Sequence, residues 1–215
     1  EPLFRQAVAA FKSAFGEGDF RVADTLGNLG AVLEGEEKYE EAAAVHARSL
    51  EIRRRIYGDH GPVVAQSYLH LAETRRKLGQ TAAALPLGQK ALAVMEEALG
   101  REHPLVAYPH QVLGLILRDR GDPAAAEPHL RQSLALMARA MPPGHPQLAL
   151  NKIELATCLT DLGRLDEAEA LLRQIEPGMR AQLGPAKVKR LDASLDEIAR
   201  RRGTMARAAN RGEPQ

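Results

Sequence analysis

The chain repeats itself every 42 residues, and that period constrains its fold more than any other feature. Residues 57–98 and 99–140 align without a gap and share 15 identities over 42 positions. Gly58 recurs as Gly100, Pro62 as Pro104, Ala65 as Ala107, Leu71 as Leu113, Gly79 as Gly121, Ala84 as Ala126, Pro86 as Pro128 and Leu92 as Leu134. A fixed period of roughly 20–50 residues marks a solenoid. Each unit is too small to bury its own apolar face, so units stack and share one core.

The same phases run beyond those two units. Ala23, Ala65, Ala107 and Ala149 share one, and Leu29, Leu71, Leu113 and Leu155 another. A small residue follows each Leu: Gly30, Ala72, Gly114 and Ala156. A second small position recurs as Ala42, Ala84, Ala126 and Ala168. Between the two lies a breaker, Gly79, Gly121 or Gly163, with Glu37 in its place in the first unit. Small residues on both arms let two helices approach closely, and the Gly suits a helix end, where positive φ is common. Each unit therefore reads as a helix–turn–helix, and the whole as an all-α, right-handed superhelical solenoid.

The spacing predicts a lone second helix at 2–15. Pairs follow at 20–35 with 38–56, 62–78 with 81–98, 104–120 with 123–140, and 146–162 with 165–182. One domain over 1–203 results: a half-unit at 1–15, units at 16–57, 58–99, 100–141 and 142–183, and a closing helix at 187–202. Val188, Leu191, Leu195 and Ile198 give that helix one apolar face. Residues 204–215 read as a flexible polar tail. Pro at the first position of a helix costs nothing, since its missing N–H would be unpaired there. Pro177 instead falls inside the last second helix and should kink or end it.

Composition narrows the function. Lys and Arg number 29, Asp and Glu 28, for a net charge of +1. No basic field exists of the kind that sequence-independent nucleic-acid binding needs. No apolar run is long enough to span a membrane. A single cysteine, Cys158, excludes an intrachain disulfide and a Cys-based zinc site, and its phase is that of a packed core position. The chain opens without Met and inside a repeat, which suggests that an upstream segment was removed. Loss of a signal peptide would fit a periplasmic or secreted protein, and the residues equally fit a cytoplasmic one.

No catalytic motif is present: no phosphate loop, no G-x-S-x-G and no H-E-x-x-H. Neither an enzyme nor a cofactor is expected. His103 and His145, one period apart before Pro, read as turn or cap residues rather than metal ligands. The runs Arg53-Arg54-Arg55 and Arg200-Arg201-Arg202 could touch acidic partners but read first as solvated turns, and Glu36-Glu37 and Glu40-Glu41 as charges at a helix start.

These residues resemble the tetratricopeptide repeat family, in its longer kinesin light chain-like form. The resemblance rests on Ala65 to Ala72, Gly79 to Ala84, Ala91-Leu92-Ala93-Val94 and Leu99-Gly100-Arg101-Glu102-His103-Pro104, and it covers almost all of residues 1–185 in register. It implies a non-catalytic scaffold that binds a protein or peptide in a concave groove lined by the first helices. Where the family carries paired groove Asn, this chain has Gly27-Asn28, Leu69-His70, Gln111-Val112 and Ile153-Glu154, so only Asn28 is retained. The resemblance places Gln66, Leu69, Glu73, Arg76 and Lys77 in the groove from one unit, and Tyr108, Gln111, Leu115, Arg118 and Asp119 from the next. His70 is either a groove contact or a half-buried side chain. Exposed Leu69, Tyr108 and Leu115 beside Arg76 and Arg118 would hold an apolar segment with an acidic group. Alternatively, the two Arg pair with local carboxylates. Two other roles stand beside the scaffold: self-assembly through the uncapped first helix, where Phe4 and Phe11 need cover, and service as a regulatory fragment of a larger protein.

Overall fold

The computed structural model describes residues 1–175 and 177–210, with the side chains of 177–179, 206 and 208–210 outside the description. Eleven α-helices and no strand occur among the described residues. They are α1 (Pro2–Phe15), α2 (Phe20–Gly35), α3 (Tyr39–Tyr57), α4 (Pro62–Lys77), α5 (Thr81–Leu99), α6 (Ala107–Asp119), α7 (Pro123–Ala140), α8 (Pro146–Asp161), α9 (Leu165–Arg173), α10 (Pro177–Gln182) and α11 (Pro185–Asn210). Each first helix (α2, α4, α6, α8) packs against its own second helix and against the second helix of the unit before. First helices also touch one another, α4 with α6 and α6 with α8, and among the described residues no comparable contact joins second helices. The first helices therefore line the inner, concave side.

The repeated small positions are the hinge of this packing. Ala23, Ala65, Ala107 and Ala149 are wholly buried, as are Ala42, Ala84, Ala126 and Ala168. Gly114 shows why size is limited there. A Cβ on it would lie 2.6 Å from Leu130 Cγ and 3.3 Å from the Ala126 carbonyl oxygen on α7. The breaker phase behaves alike in every unit: φ is +71° at Gly79, +83° at Gly121 and +76° at Gly163, and Glu37 adopts +59° in the same place. His103 and His145 cap their turns, each Nδ1 accepting from the backbone N–H two residues on, at 3.2 and 3.1 Å. Cys158 is buried and its Sγ lies 3.2 Å from the Pro123 carbonyl. Burial, then the nearby Asp161, pushes its thiol up to about 11.

α1 sits where a second helix belongs. Glu1 pairs with Arg5 at 2.7 Å and Lys38 at 2.6 Å, and Arg5 with Glu41 at 2.5 Å. Three periods later Glu127 pairs with Arg131 at 2.8 Å and Arg164 at 2.6 Å, and Arg131 with Glu167 at 3.2 Å.

Four expectations need correction. The third first helix opens with a 3₁₀ turn at Pro104–Val106 rather than an α-turn. Pro109 explains it: the residue has no N–H for the Leu105 carbonyl. The closing helix runs through Thr204 to Asn210, past residue 202 and into the expected tail, because Met205-Ala206-Arg207-Ala208-Ala209 are strong helix formers. Residues 211–215 lie outside the described part. Arg53 is not solvated but only 8% exposed. It bridges Asp24 on α2 at 2.8 Å and Ser67 on α4 at 2.7 Å. Leu115 is not open to the groove, and Leu69 reaches it only half-buried. Leu115 is buried because α6 is flanked by α4 on one side and α8 on the other, and Leu69 packs half-buried against two core clusters. Pro177 does end the last second helix early: α9 stops at Arg173 and α10 starts at Pro177.

Candidate functional site

Two features occupy the concave face. The first is an apolar cavity of about 450 Å³ between the N-terminal halves of α4 and α6. Val63, Leu69 and His70 on α4, Leu105 in the 3₁₀ turn and Tyr108 on α6 form its walls, with Met95 of α5 also lining it. Val63, Leu105 and Tyr108 are 43%, 44% and 36% exposed, so the rim is apolar and open to solvent. Gln66 supplies a polar group at the edge. His70 packs its ring 5.3 Å from the buried His46 ring. Burial, then His46, lowers the His70 pKa to about 4, so the imidazole is neutral at pH 7 and suits an apolar wall.

The second is a ladder of charge between successive first helices. Glu34 meets Lys77 at 3.1 Å, Arg76 meets Asp119 at 2.6 Å and Arg118 meets Asp161 at 3.8 Å. Gln111 donates to Glu154 at 2.6 Å. Each pair joins one phase of a unit to the following phase of the next unit, 43 residues on for Glu34–Lys77, Arg76–Asp119 and Gln111–Glu154. α11 continues the ladder: Arg201 donates to the Thr160 carbonyl at 2.7 Å and lies 3.5 Å from Asp161. Burial would push the Glu34 carboxyl up, but His46, Thr74 and Lys77 outweigh it and bring it down to about 2. Burial likewise opposes the charge of Arg76, yet Glu73 and Asp119 outweigh it and raise its pKa.

The sequence-derived site residues divide between these features. Gln66, Leu69, His70 and Tyr108 line the apolar cavity. Glu73, Arg76, Lys77, Gln111, Arg118 and Asp119 belong to the ladder. Leu115 is buried below it, and Asn28 lies exposed on α2. Arg76 is fully engaged, with Glu73 at 2.8 and 2.9 Å and Asp119 at 2.6 Å, so it takes the local-carboxylate role weighed above. Val63 and Leu105 were missed, although they stand one period apart behind the repeated Pro62 and Pro104. Asp161 and Arg201 were missed because they lie beyond the two best-matched units. Among the described residues, no three of His, Cys, Asp and Glu converge on a possible metal position, and no helix is long and apolar enough to cross a membrane.

Comparison with known proteins agrees with the fold. The model of the tetratricopeptide repeat family matches residues 21–97, 63–139 and 112–181, well over half of the chain. No curated protein sequence matches. Among solved structures, BtubC (BKLC) from P. vanneervenii superposes with a TM-score of 0.70 at 20% identity, covering 85% of this chain and 76% of that one. A Podosopora anserina putative kinesin light chain with nearly identical TPR-like repeats gives 0.66 at 22% identity, over 85% and 87%. The apo form of RapI gives 0.66 at 14% identity, over 92% of this chain and 57% of RapI. At such identities the likeness concerns the fold alone. The chain belongs to the tetratricopeptide repeat family, as a right-handed all-α solenoid of kinesin light chain-like units.

Proposed function

We propose that the chain is a non-catalytic scaffold that binds a protein segment in its concave groove, with an apolar side chain of the partner seated between α4 and α6. The observation that carries this is the open apolar rim of Val63, Leu105 and Tyr108. Exposed apolar residues that cluster mark interaction surfaces, whereas single ones need no explanation. The cavity has the size of a ligand pocket, and Tyr is a frequent interface anchor. Val63→Glu with Leu105→Glu tests it. Both positions are solvent-exposed, so the fold tolerates the change while the pocket gains charge. Proteins captured by the immobilised chain and quantified by mass spectrometry should fall on the order of tenfold with the variant. Equal recovery of every captured protein removes the pocket from the binding surface.

Self-association is the second reading, and α1 supports it. None of its residues is buried, and Leu3, Phe15 and the neighbouring Phe20 are 79%, 49% and 46% exposed. Light scattering at two concentrations decides: a monomer at both ends this reading.

A further inference from the structure

His110 on α6 and His129 on α7 face each other within the third unit. Their Nδ1 atoms are 2.9 Å apart and their ring centroids 5.1 Å. One nitrogen donates and the other accepts, so at least one lone pair already points into the gap between the rings. The pair stands apart from the repeat. At the same two phases the other units carry Leu26 with Val45, Tyr68 with Leu87, and Lys152 with Leu171. Leu26 and Val45 share one core cluster, and Leu87 and Leu171 pack against others. The fold thus asks for an apolar side chain where His129 stands, and in this one unit both members of the contact are imidazoles. His103 and His145, by contrast, recur at one phase and cap turns.

Glu96 of α5 lies behind the His110 ring, its Oε1 4.0 Å from Nε2. It is outside the gap between the two Nδ1 atoms. The exposed Arg101 meets Glu96 through the other carboxylate oxygen, at 3.4 Å. A histidine that binds a metal through one nitrogen donates its other N–H to a carboxylate or carbonyl, which fixes the ring. Glu96 is placed for that task.

We propose that His110 and His129 bind a divalent transition ion through their two Nδ1 atoms, with Glu96 orienting His110 from behind and water in the remaining coordination positions. Imidazole suits Zn²⁺, Cu²⁺ and Ni²⁺ rather than Mg²⁺ or Ca²⁺, which take oxygen ligands. Zn–N bonds of about 2.0–2.1 Å put two tetrahedral ligands about 3.3 Å apart, so the rings need to part by only about 0.4 Å. The His110 side chain is 12% exposed and His129 is half-buried, which gives the pair an edge open to solvent. Structural zinc has four protein ligands; two make an exchangeable site that ties α6 to α7. The pair faces the second helices α5 and α7, away from the concave groove, so it stands independently of the groove reading.

Isothermal titration of the chelator-stripped chain with ZnCl₂ at pH 7 tests it. Wild type should take up a single Zn²⁺ and melt at a higher temperature with it, as a ligand specific to the native state requires. His129→Leu, which restores the residue of the neighbouring units and should leave the circular dichroism unchanged, should lose both effects. His110→Gln should lose them too. His60→Gln, at an exposed histidine beside Glu97, should keep them. Glu96→Gln should weaken Zn²⁺ binding on the order of tenfold, while electron paramagnetic resonance of the chain loaded with substoichiometric Cu²⁺ still shows two imidazole nitrogens, as a positioning residue requires. No Zn²⁺ uptake by the wild type, uptake that survives His129→Leu, or uptake that vanishes in His60→Gln overturns the site. Unaltered Zn²⁺ affinity, or a lost nitrogen signal, in Glu96→Gln overturns the role given to Glu96.

Discussion

Gly114→Ala puts a single methyl group at the closest helix contact in the molecule's third unit. The added Cβ would meet Leu130 Cγ at 2.6 Å and Cδ2 at 2.7 Å, with the Ala126 carbonyl behind them at 3.3 Å. Leu130 is 1% exposed and cannot swing into solvent, and Ala126 is wholly buried. Overpacking of this kind costs about 1–3 kcal/mol. Against it, Ala is better than Gly inside a helix by about 1 kcal/mol. The net expectation is a loss of about 1 kcal/mol, within a span of about 0–2, read as a lower urea midpoint at unchanged slope. Leu130→Ala in the same chain removes the atoms that clash, so the double-mutant cycle should show a coupling of about 1 kcal/mol or more. Gly114→Ala with a higher midpoint, or a cycle with no coupling, would falsify the packing register.

Further outcomes follow from particular residues. Glu37 holds φ +59° where the other units have Gly, so Glu37→Gly should leave stability within about 0.5 kcal/mol or raise it, while Gly79→Ala, at φ +71° with no steric neighbour, should cost about 1–2 kcal/mol; thermal melts compare them. His70 and His110 have pKa values lowered from 6.5 to about 4, by burial and by His46 and His129 respectively. The unfolded chain takes up these protons near pH 6.5 and the fold resists them until about pH 4. Stability should therefore be full above pH 6.5 and fall on the order of 2 kcal/mol per histidine on the way down to pH 4. Urea midpoints between pH 7 and 4 that stay level contradict this, and His70→Gln with His110→Gln should flatten the profile. Cys158 should resist a thiol reagent in the native state and react on unfolding, since it is buried and its pKa is pushed up to about 11. Arg53→Ala should cost about 1–3 kcal/mol by removing the bridge between α2 and α4, as chemical denaturation would report.

Much of the fold was legible because a period names equivalent positions without naming their contacts. The buried Ala phases, the αL position shared by Gly79 and Glu37, and the capping roles of His103 and His145 all follow from recurrence alone. What recurrence hides is the partner across the helix interface. The ladder pairs sit one residue out of phase, Glu34 with Lys77 and Arg76 with Asp119, so aligning units on themselves groups Arg76 with Arg118 and misses the carboxylates. Equal phase also concealed unequal chemistry: Glu73 serves Arg76, and Leu115 at the same phase leaves Arg118 short of an acid. Arg53 was misjudged because three adjacent Arg read as one charged turn, although successive helical residues point about 100° apart. One of the three faces the neighbouring helices. The apolar rim was within reach, since Val63 and Leu105 repeat at one phase just behind Pro62 and Pro104.

The most direct measurement is the dissociation constant of a peptide recovered on the wild-type chain, compared across two pairs of substitutions. One pair, Val63→Glu with Leu105→Glu, charges the rim between α4 and α6. The other, Gln89→Glu with Ala135→Glu, charges exposed positions on the second helices α5 and α7. Binding in the concave groove requires the first pair to weaken affinity on the order of tenfold or more and the second to leave it within about twofold. Equal effects, or a loss confined to the second pair, would contradict the groove as the site of binding.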